Sequence, residues 1–175
     1  MFAIDTDRLN LIPLDFESLT LLKRDRILLE KHLNLNFTGH KVSVDTLAEI
    51  KKDLNYRIDD VKENPKQFEW FTSWEIILKE QEESIGAIGF TSFPDENGTT
   101  SIGFYIDERH RKRGYASEAL AAITNWAFSN NKLLQIKAET LSQNKTSQKV
   151  LQKNNFEITG IDQEIVNWQL KRKEY

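Results

Sequence analysis

Apolar positions recur along this chain at two periods, and the switches between them outline its elements. Arg8 to Leu14 alternates, with Leu9, Leu11 and Pro13 set against Arg8, Asn10 and Ile12. That is a strand, and its closing proline fits a sheet edge, so it is expected to be the first strand and an outer one. Phe16, Leu19, Leu22 and Leu29 then approach helical spacing across Phe16 to Lys31, with Asp15 as N-cap. A second helix carries Leu47, Ile50, Leu54 and Ile58 behind a cap at Ser43 or Asp45, and its other face is dense in charge.

Trp74 to Leu78 and Ile85 to Thr91 read as a hairpin, and Asp95-Glu96-Asn97-Gly98 turns the chain into a further strand, Thr99 to Ile106. The period then changes. Ala116, Ala119, Leu120, Ile123 and Ala127 mark a helix buried along one stripe. Leu134, Ile136, Ala138 and Thr140 alternate again, and a short helix at Thr146 to Lys153 stops at Asn154-Asn155, because asparagine tolerates the left-handed backbone past a helix end. Phe156 to Thr159 and Ile165 to Leu170 close the chain as a hairpin around Gly160 to Glu164. This order predicts a mixed α/β or α+β domain with one central sheet, spanning residues 1–175.

Composition narrows the chemistry. The absence of cysteine excludes thiol catalysis and thiolate metal sites, while ten phenylalanines, four tryptophans and 39% hydrophobic residues are enough for a core without disulfides. No apolar run approaches the ~20 residues a bilayer crossing needs, and Met1 to Arg8 lacks the pattern of a cleaved leader, so the expectation is a cytoplasmic chain without membrane contact. His32, His40 and His110 lack metal-site spacing, so no metal is assigned. Charge is divided: residues 1–100 hold 19 acidic against 12 basic side chains, and residues 101–175 hold 8 against 12. Two unlike charged ligands on one domain would suit that split.

The basic excess concentrates at Arg109-His110-Arg111-Lys112-Arg113-Gly114-Tyr115-Ala116-Ser117, where a strand gives way to a helix. The first turn of a helix leaves N–H groups unpaired and partly positive, and small residues let an anion approach them, so the junction suits phosphate. A solvated basic loop and a nucleic-acid contact are the competing readings. The second is disfavoured by the negative net charge and the lack of interleaved aromatics, and a Walker-type loop by the missing Gly-Lys-Ser/Thr.

Arg111-Lys112-Arg113-Gly114-Tyr115-Ala116 resembles the Arg/Gln-x-x-Gly-x-Gly/Ala loop of the GNAT (Gcn5-related) N-acetyltransferases. Further segments resemble the RimJ/RimL-like ribosomal-protein alanine acetyltransferase branch of that family. They are Thr6-Asp7-Arg8-Leu9, Glu83-Ser84-Ile85-Gly86, Tyr115-Ala116-Ser117-Glu118-Ala119, Asn144-Lys145-Thr146-Ser147 and Lys153-Asn154-Asn155-Phe156, in order over nearly the whole chain. The resemblance implies a mixed, mostly antiparallel sheet flanked by helices. It also implies acetyl-CoA as co-substrate, with its pantetheine arm on the strand ending at Tyr105 and Ile106 and its pyrophosphate on the amides of Lys112 to Ser117. Arg111 and Arg113 would add charge-assisted contacts, and Asn144 would reach the arm.

Acetyl transfer needs a neutral amine, a polarised carbonyl and a proton for the leaving thiolate. By the same resemblance Glu139 stands where a related enzyme has its base and Ser147 where the branch has its proton donor. A solvated glutamate, a helix serine bonded to its own backbone and a capping asparagine are the ordinary readings of Glu139, Ser147 and Asn144. Two departures stand out: Leu151 occupies the place of the family's usual tyrosine acid, and Asn155 that of a glycine. Trp70, Phe71 and Trp74 read first as core aromatics and secondly, with Phe37, as an acceptor pocket; Asp59, Asp60 and Glu63 read first as a solvated face. The implied activity is acetylation of a primary amine by direct attack in a ternary complex, on a protein N-terminus or on a small amine such as a polyamine or aminoglycoside-like compound. A non-catalytic acyl-CoA-binding protein is the alternative of another class. The resemblance implies a monomer or homodimer.

Overall fold

The computed structural model describes residues 2–173, so Met1, Glu174 and Tyr175, the outermost residues of the expected domain, lie outside the described residues. An eight-stranded sheet runs through the molecule in the order β1-β2-β3-β4-β5-β6-β8-β7. Its first half is a meander: β1 (Ile4–Asp5), β2 (Leu9–Pro13), β3 (Trp74–Leu78), β4 (Glu83–Phe90) and β5 (Thr99–Ile106), each antiparallel to the next. Helix α4 (Tyr115–Phe128) crosses over to β6 (Gln135–Leu141), which is parallel to β5, and β7 (Glu157–Asp162) and β8 (Ile165–Lys171) complete the second half. Parallel neighbours need such a crossover.

The stripe predicted for α4 is the core. Ala119, Leu120, Ile123 and Ala127 are buried, with Ala116 half-buried and Tyr115 buried in its place, against Trp74, Ile76, Ile88, Ile136, Ala138 and Trp168 on one face of the sheet. Each fully buried Leu or Ile there contributes about 1.5–3 kcal/mol. A second cluster, Leu14, Leu19, Leu29, Leu54 and Val61, packs helices α1 (Phe16–Arg24), α2 (Arg26–His32) and α3 (Val44–Glu63) together. Asp15 caps α1 through the Ser18 N–H at 2.8 Å, and of the two candidates for α3 it is Ser43 that caps, through the Thr46 N–H. No helix among the described residues is long and apolar enough to cross a membrane.

Three expectations are corrected. The strand at Leu9–Pro13 is neither first nor outer: β1 pairs with it, and Pro13 is tolerated because it is the last residue of the ladder. The helix expected over Phe16 to Lys31 is two, because Asp25 is extended (φ −165°, ψ 133°) and its carboxylate caps α2 through the Ile27 N–H at 2.9 Å. The closing hairpin turns at Gln163 and Glu164, not over Gly160 to Glu164, with Gly160 absorbed into β7 by a shift of register. Trp70 and Trp74 lie in the main core, Trp70 stacking on Trp126 at 5.0 Å, which settles their core reading. Asn155 takes the left-handed backbone (φ 62°) expected where α5 (Lys145–Lys153) ends.

Candidate active site

The sheet is open in its middle. β5 and β6 pair only from Thr99 to Ser101 and then part. The ladder with β4 takes the main chains of Gly103 and Tyr105, and Asp107 N–H continues it to Ile85 O. Antiparallel pairing therefore turns the main-chain groups of Ile102, Phe104 and Ile106 away from β4; the Ser101–Lys137 bridge takes the Ile102 N–H and Arg111 Nε caps Ile106 O at 3.0 Å, which leaves Ile102 O, both groups of Phe104 and the Ile106 N–H on the opening. A cavity of about 1230 Å³ occupies this opening.

At one end of the cavity lies the basic loop. Lys112 (φ 62°) and Gly114 (φ 86°) both take left-handed backbone, which turns the chain sharply into α4. The first main-chain bond of the helix is Glu118 N–H to Gly114 O at 3.1 Å. Among the described residues the amides from Lys112 to Ser117 have no intramolecular acceptor, so the junction presents a row of unused donors at the positive end of a helix.

The other end is the face shared by Glu75, Ala87, Tyr105 and Glu139. Glu75, Ala87 and Tyr105 are cross-strand neighbours, Ser101 pairs with Lys137, and alternation carries the face to Tyr105 and Glu139. Its floor is Ala87 and Gly103; a Cβ at Gly103 would meet nothing within 4 Å, whereas the facing Gly89 is covered by the main chain, with Thr72 O 2.6 Å from where its Cβ would be. Leu22, Ile50 and Leu54 form the wall, and Asp45, Glu49 and Asp53 of α3 line the rim. Arg57, paired with Asp53, reaches across to Thr72 O (2.7 Å) and Phe90 O (3.0 Å).

Behind this face is a buried polar ring. Arg26 holds Glu75 through Nη1 and Nη2 at 3.0 and 3.2 Å, Ser84 Oγ donates to Glu75, His40 Nε2 lies 2.9 Å from Ser84 Oγ, and His40 Nδ1 lies 3.2 Å from the Tyr105 hydroxyl. Burial alone would raise the Glu75 carboxyl, but Arg26 outweighs it and holds it below the ordinary range. Burial, then the charge of Arg26, lowers His40 to about 4, and burial followed by Glu75 raises Tyr105. Both therefore stay neutral at pH 7.

The site residues expected from sequence fall as follows. Ile106, Arg111, Lys112, Gly114, Tyr115, Ala116, Ser117, Asn144, Ser147 and Glu139 line the one cavity, as does Tyr105. Arg113 sits in the loop with its carbonyl accepting from Arg8 Nη1 at 3.0 Å. Tyr105 commits its main chain to β4 and its hydroxyl to the polar ring. Glu139 is exposed, opposite Asn167 of β8. Asn144 Oδ1 accepts from the Ser147 N–H at 3.1 Å, so the capping role is real, and among the described residues the Ser147 hydroxyl bonds no backbone carbonyl. Ser117 Oγ accepts from Asn154 Nδ2 at 3.0 Å, which ties α5 to the start of α4. Leu151 is fully buried in the core. Arg109 points away from the loop: it is held by Asp107 (Nη2 to Oδ2, 2.6 Å) and by Thr38 O (2.9 Å).

A strand edge laid open thus lies beside a helix-end anion site. The family described as acetyltransferase (GNAT) domain matches residues 8–157. The chain belongs to that family. YjdG of Bacillus subtilis, an uncharacterized N-acetyltransferase, is 32% identical over 168 residues, covering 96% of this chain and 97% of that protein. The ribosomal-protein-serine acetyltransferase of Escherichia coli is 32% identical over 85 residues, 49% of this chain and 47% of its own length. The solved structure of RimL, a ribosomal L7/L12 alpha-N-protein acetyltransferase, in complex with coenzyme A superposes with a TM-score of 0.67 at 17% identity, covering 97% of this chain and 98% of that one. This GNAT chain is an N-acetyltransferase, and GNAT enzymes take their acetyl group from acetyl-CoA. The site fits such a co-substrate: unused amides for a diphosphate and an unpaired strand edge for a peptide-like arm occur side by side.

Sequence reasoning missed Arg26, Glu75 and His40. No local pattern could mark them, since Arg26 and Glu75 are 49 residues apart. Their ring carries a pH prediction. A His with a depressed folded pKa gives stability that is complete above about 6.5 and lost as pH falls toward about 4. Glu75, Asp107 and Glu118, all held below the carboxylate range, add their losses only below about pH 4. Urea denaturation is expected to show about 2–3 kcal/mol less stability at pH 4.5 than at pH 7, and His40→Gln should flatten that slope.

Proposed function

We propose that this GNAT enzyme acetylates the α-amine of a protein or peptide N-terminus by direct attack in a ternary complex. The observation that carries this reading is the continuity of one cavity from the basic loop, past Glu139 and Ser147, to a floor opened at Gly103 under an acidic rim. The floor leaves room for a backbone, the rim suits an ammonium group, and the ribosomal-protein acetyltransferases among the relatives and structural neighbours favour a protein acceptor.

Acetyl-CoA, when bound, supplies the acetyl thioester. The amides of Lys112 to Ser117, with Arg111 and Arg113 beside them, hold its diphosphate. The free main-chain groups of this edge, Ile102 O, both of Phe104 and the Ile106 N–H, hold the arm, and Asn144 borders it from α5. Tyr105 works from its side chain, holding the acceptor face through His40. Glu139 takes the proton of the attacking amine, either directly or through one water. Ser147 gives a proton to the departing sulfur, since Leu151 has none to give.

The test is release of free CoA from acetyl-CoA with N-terminal peptides and polyamines presented side by side. Peptides with a free α-amine should turn over faster, and a preference for polyamines would replace this reading with small-amine acetylation. Glu139→Gln and Ser147→Ala should each lower kcat by about 100-fold, the low end for acid–base groups, because water reaches this open site. Unchanged turnover in both variants would remove these two residues from the chemistry.

A further inference from the structure

The loop that is proposed to hold the diphosphate is gripped by a residue from the far end of the chain. Arg8 lies just before β2, yet its Nη1 donates to Arg113 O at 3.0 Å and its guanidinium lies over the Tyr115 ring at 4.5 Å. Its Nη2 is 3.3 Å from where a Cβ on Gly114 would be. Nε and Nη2 also engage Glu118 Oε2 at 2.7 and 2.6 Å, while Glu118 Oε1 accepts from Arg8 N–H at 3.0 Å and from Thr6 Oγ1 at 2.7 Å. One segment, Thr6 to Arg8, thus satisfies both oxygens of a carboxylate in the first turn of α4.

That carboxylate is out of place for an anion site. A negative charge in the first turn suits the helix itself but repels a diphosphate bound to the same turn. Arg8 answers both needs. It neutralises Glu118, and by taking Arg113 O it fixes the peptide plane that follows, so that the Gly114 N–H stays turned outward. We propose that Arg8 is a positioning residue for acetyl-CoA: it orders the diphosphate loop and cancels the charge of Glu118, acting on co-substrate affinity and not on the chemical step.

The inference rests on the diphosphate assignment, and the experiment separates the two. Calorimetry with coenzyme A and steady-state kinetics would be run on the wild type, Arg8→Met, Glu118→Gln and the double variant, with thermal unfolding of each. If the wild type binds no coenzyme A, the site assignment itself fails. If it binds, Arg8→Met should weaken Kd by about tenfold, raise KM for acetyl-CoA in parallel and leave kcat at saturation unchanged. Arg8→Lys, which keeps the charge but not the fork, should fall between the two. The double variant should bind more tightly than Arg8→Met, and this difference should shrink in high salt, because the uncancelled Glu118 charge is then absent. Wild-type affinity in Arg8→Met, or a double variant no tighter than Arg8→Met, would overturn the proposal. A purely structural role would instead lower the unfolding temperature of the double variant without recovering affinity.

Discussion

Replacing Gly114 by valine is expected to weaken acetyl-CoA binding by about 100-fold, equivalent to about 2.7 kcal/mol. At φ 86° the position favours glycine, and a β-branched residue is a steric outlier there. Left-handed backbone costs an L-residue about 1–2 kcal/mol, and relieving that strain would rotate the peptide planes on either side of the position. Those planes carry the amides that face the anion. The branched side chain would also stand where the diphosphate must approach the main chain and would press on Arg8 Nη2, 3.3 Å from its Cβ. Both effects fall on the ligand-facing side of the loop, so α4, buried along its other face, should persist. Calorimetry checks the affinity and circular dichroism the helix; equal binding by the variant would exclude this loop as the diphosphate site.

Removing Arg26 should have the largest effect on stability. Arg26→Met leaves Glu75 fully buried with its bidentate partner gone, and breaking such a pair from one side costs about 3–5 kcal/mol. For a chain of this size that is about 10 °C or more in Tm. The loss arises from the stranded charge, so Arg26→Met with Glu75→Leu should recover most of it. Chemical denaturation of the two variants is the measurement, and equal stabilities would mean that the pair matters only through packing. Because Glu75, His40 and Tyr105 support the face proposed for the acceptor, the single variant should also raise KM for the amine.

The sequence made the local parts of this site legible. The change from alternation to helical spacing located β5, the loop and α4, and Gly114 stands at the junction itself, where a φ of 86° favours a residue free of a Cβ. The alternation of β6 likewise put Glu139 on the face away from Ile136 and Ala138. Long-range pairing was not legible. Thr6-Asp7-Arg8-Leu9 was visible as a segment, but its partner Glu118 lies 110 residues away. The break at Asp25 was hidden for a related reason. Apolar spacing continues across it, and only the capping of α2 by the Asp25 carboxylate reveals two helices instead of one. Arg109 was grouped with the loop by its charge, whereas a buried aspartate two residues earlier claims it.

The short seam between β5 and β6 has a bearing on solubility. A strand edge with unpaired N–H and C=O groups invites pairing with other chains, and soluble proteins normally blunt such edges at the rim of a sheet. Here Ile102 O, both main-chain groups of Phe104 and the Ile106 N–H are left open in the centre of the sheet, with β6 on one side and the start of α4 and α5 around them. A thin, extended ligand can slide along that edge, but another protein's sheet cannot reach it. Recessing the edge lets the fold keep a sticky surface for one partner while denying it to aggregation.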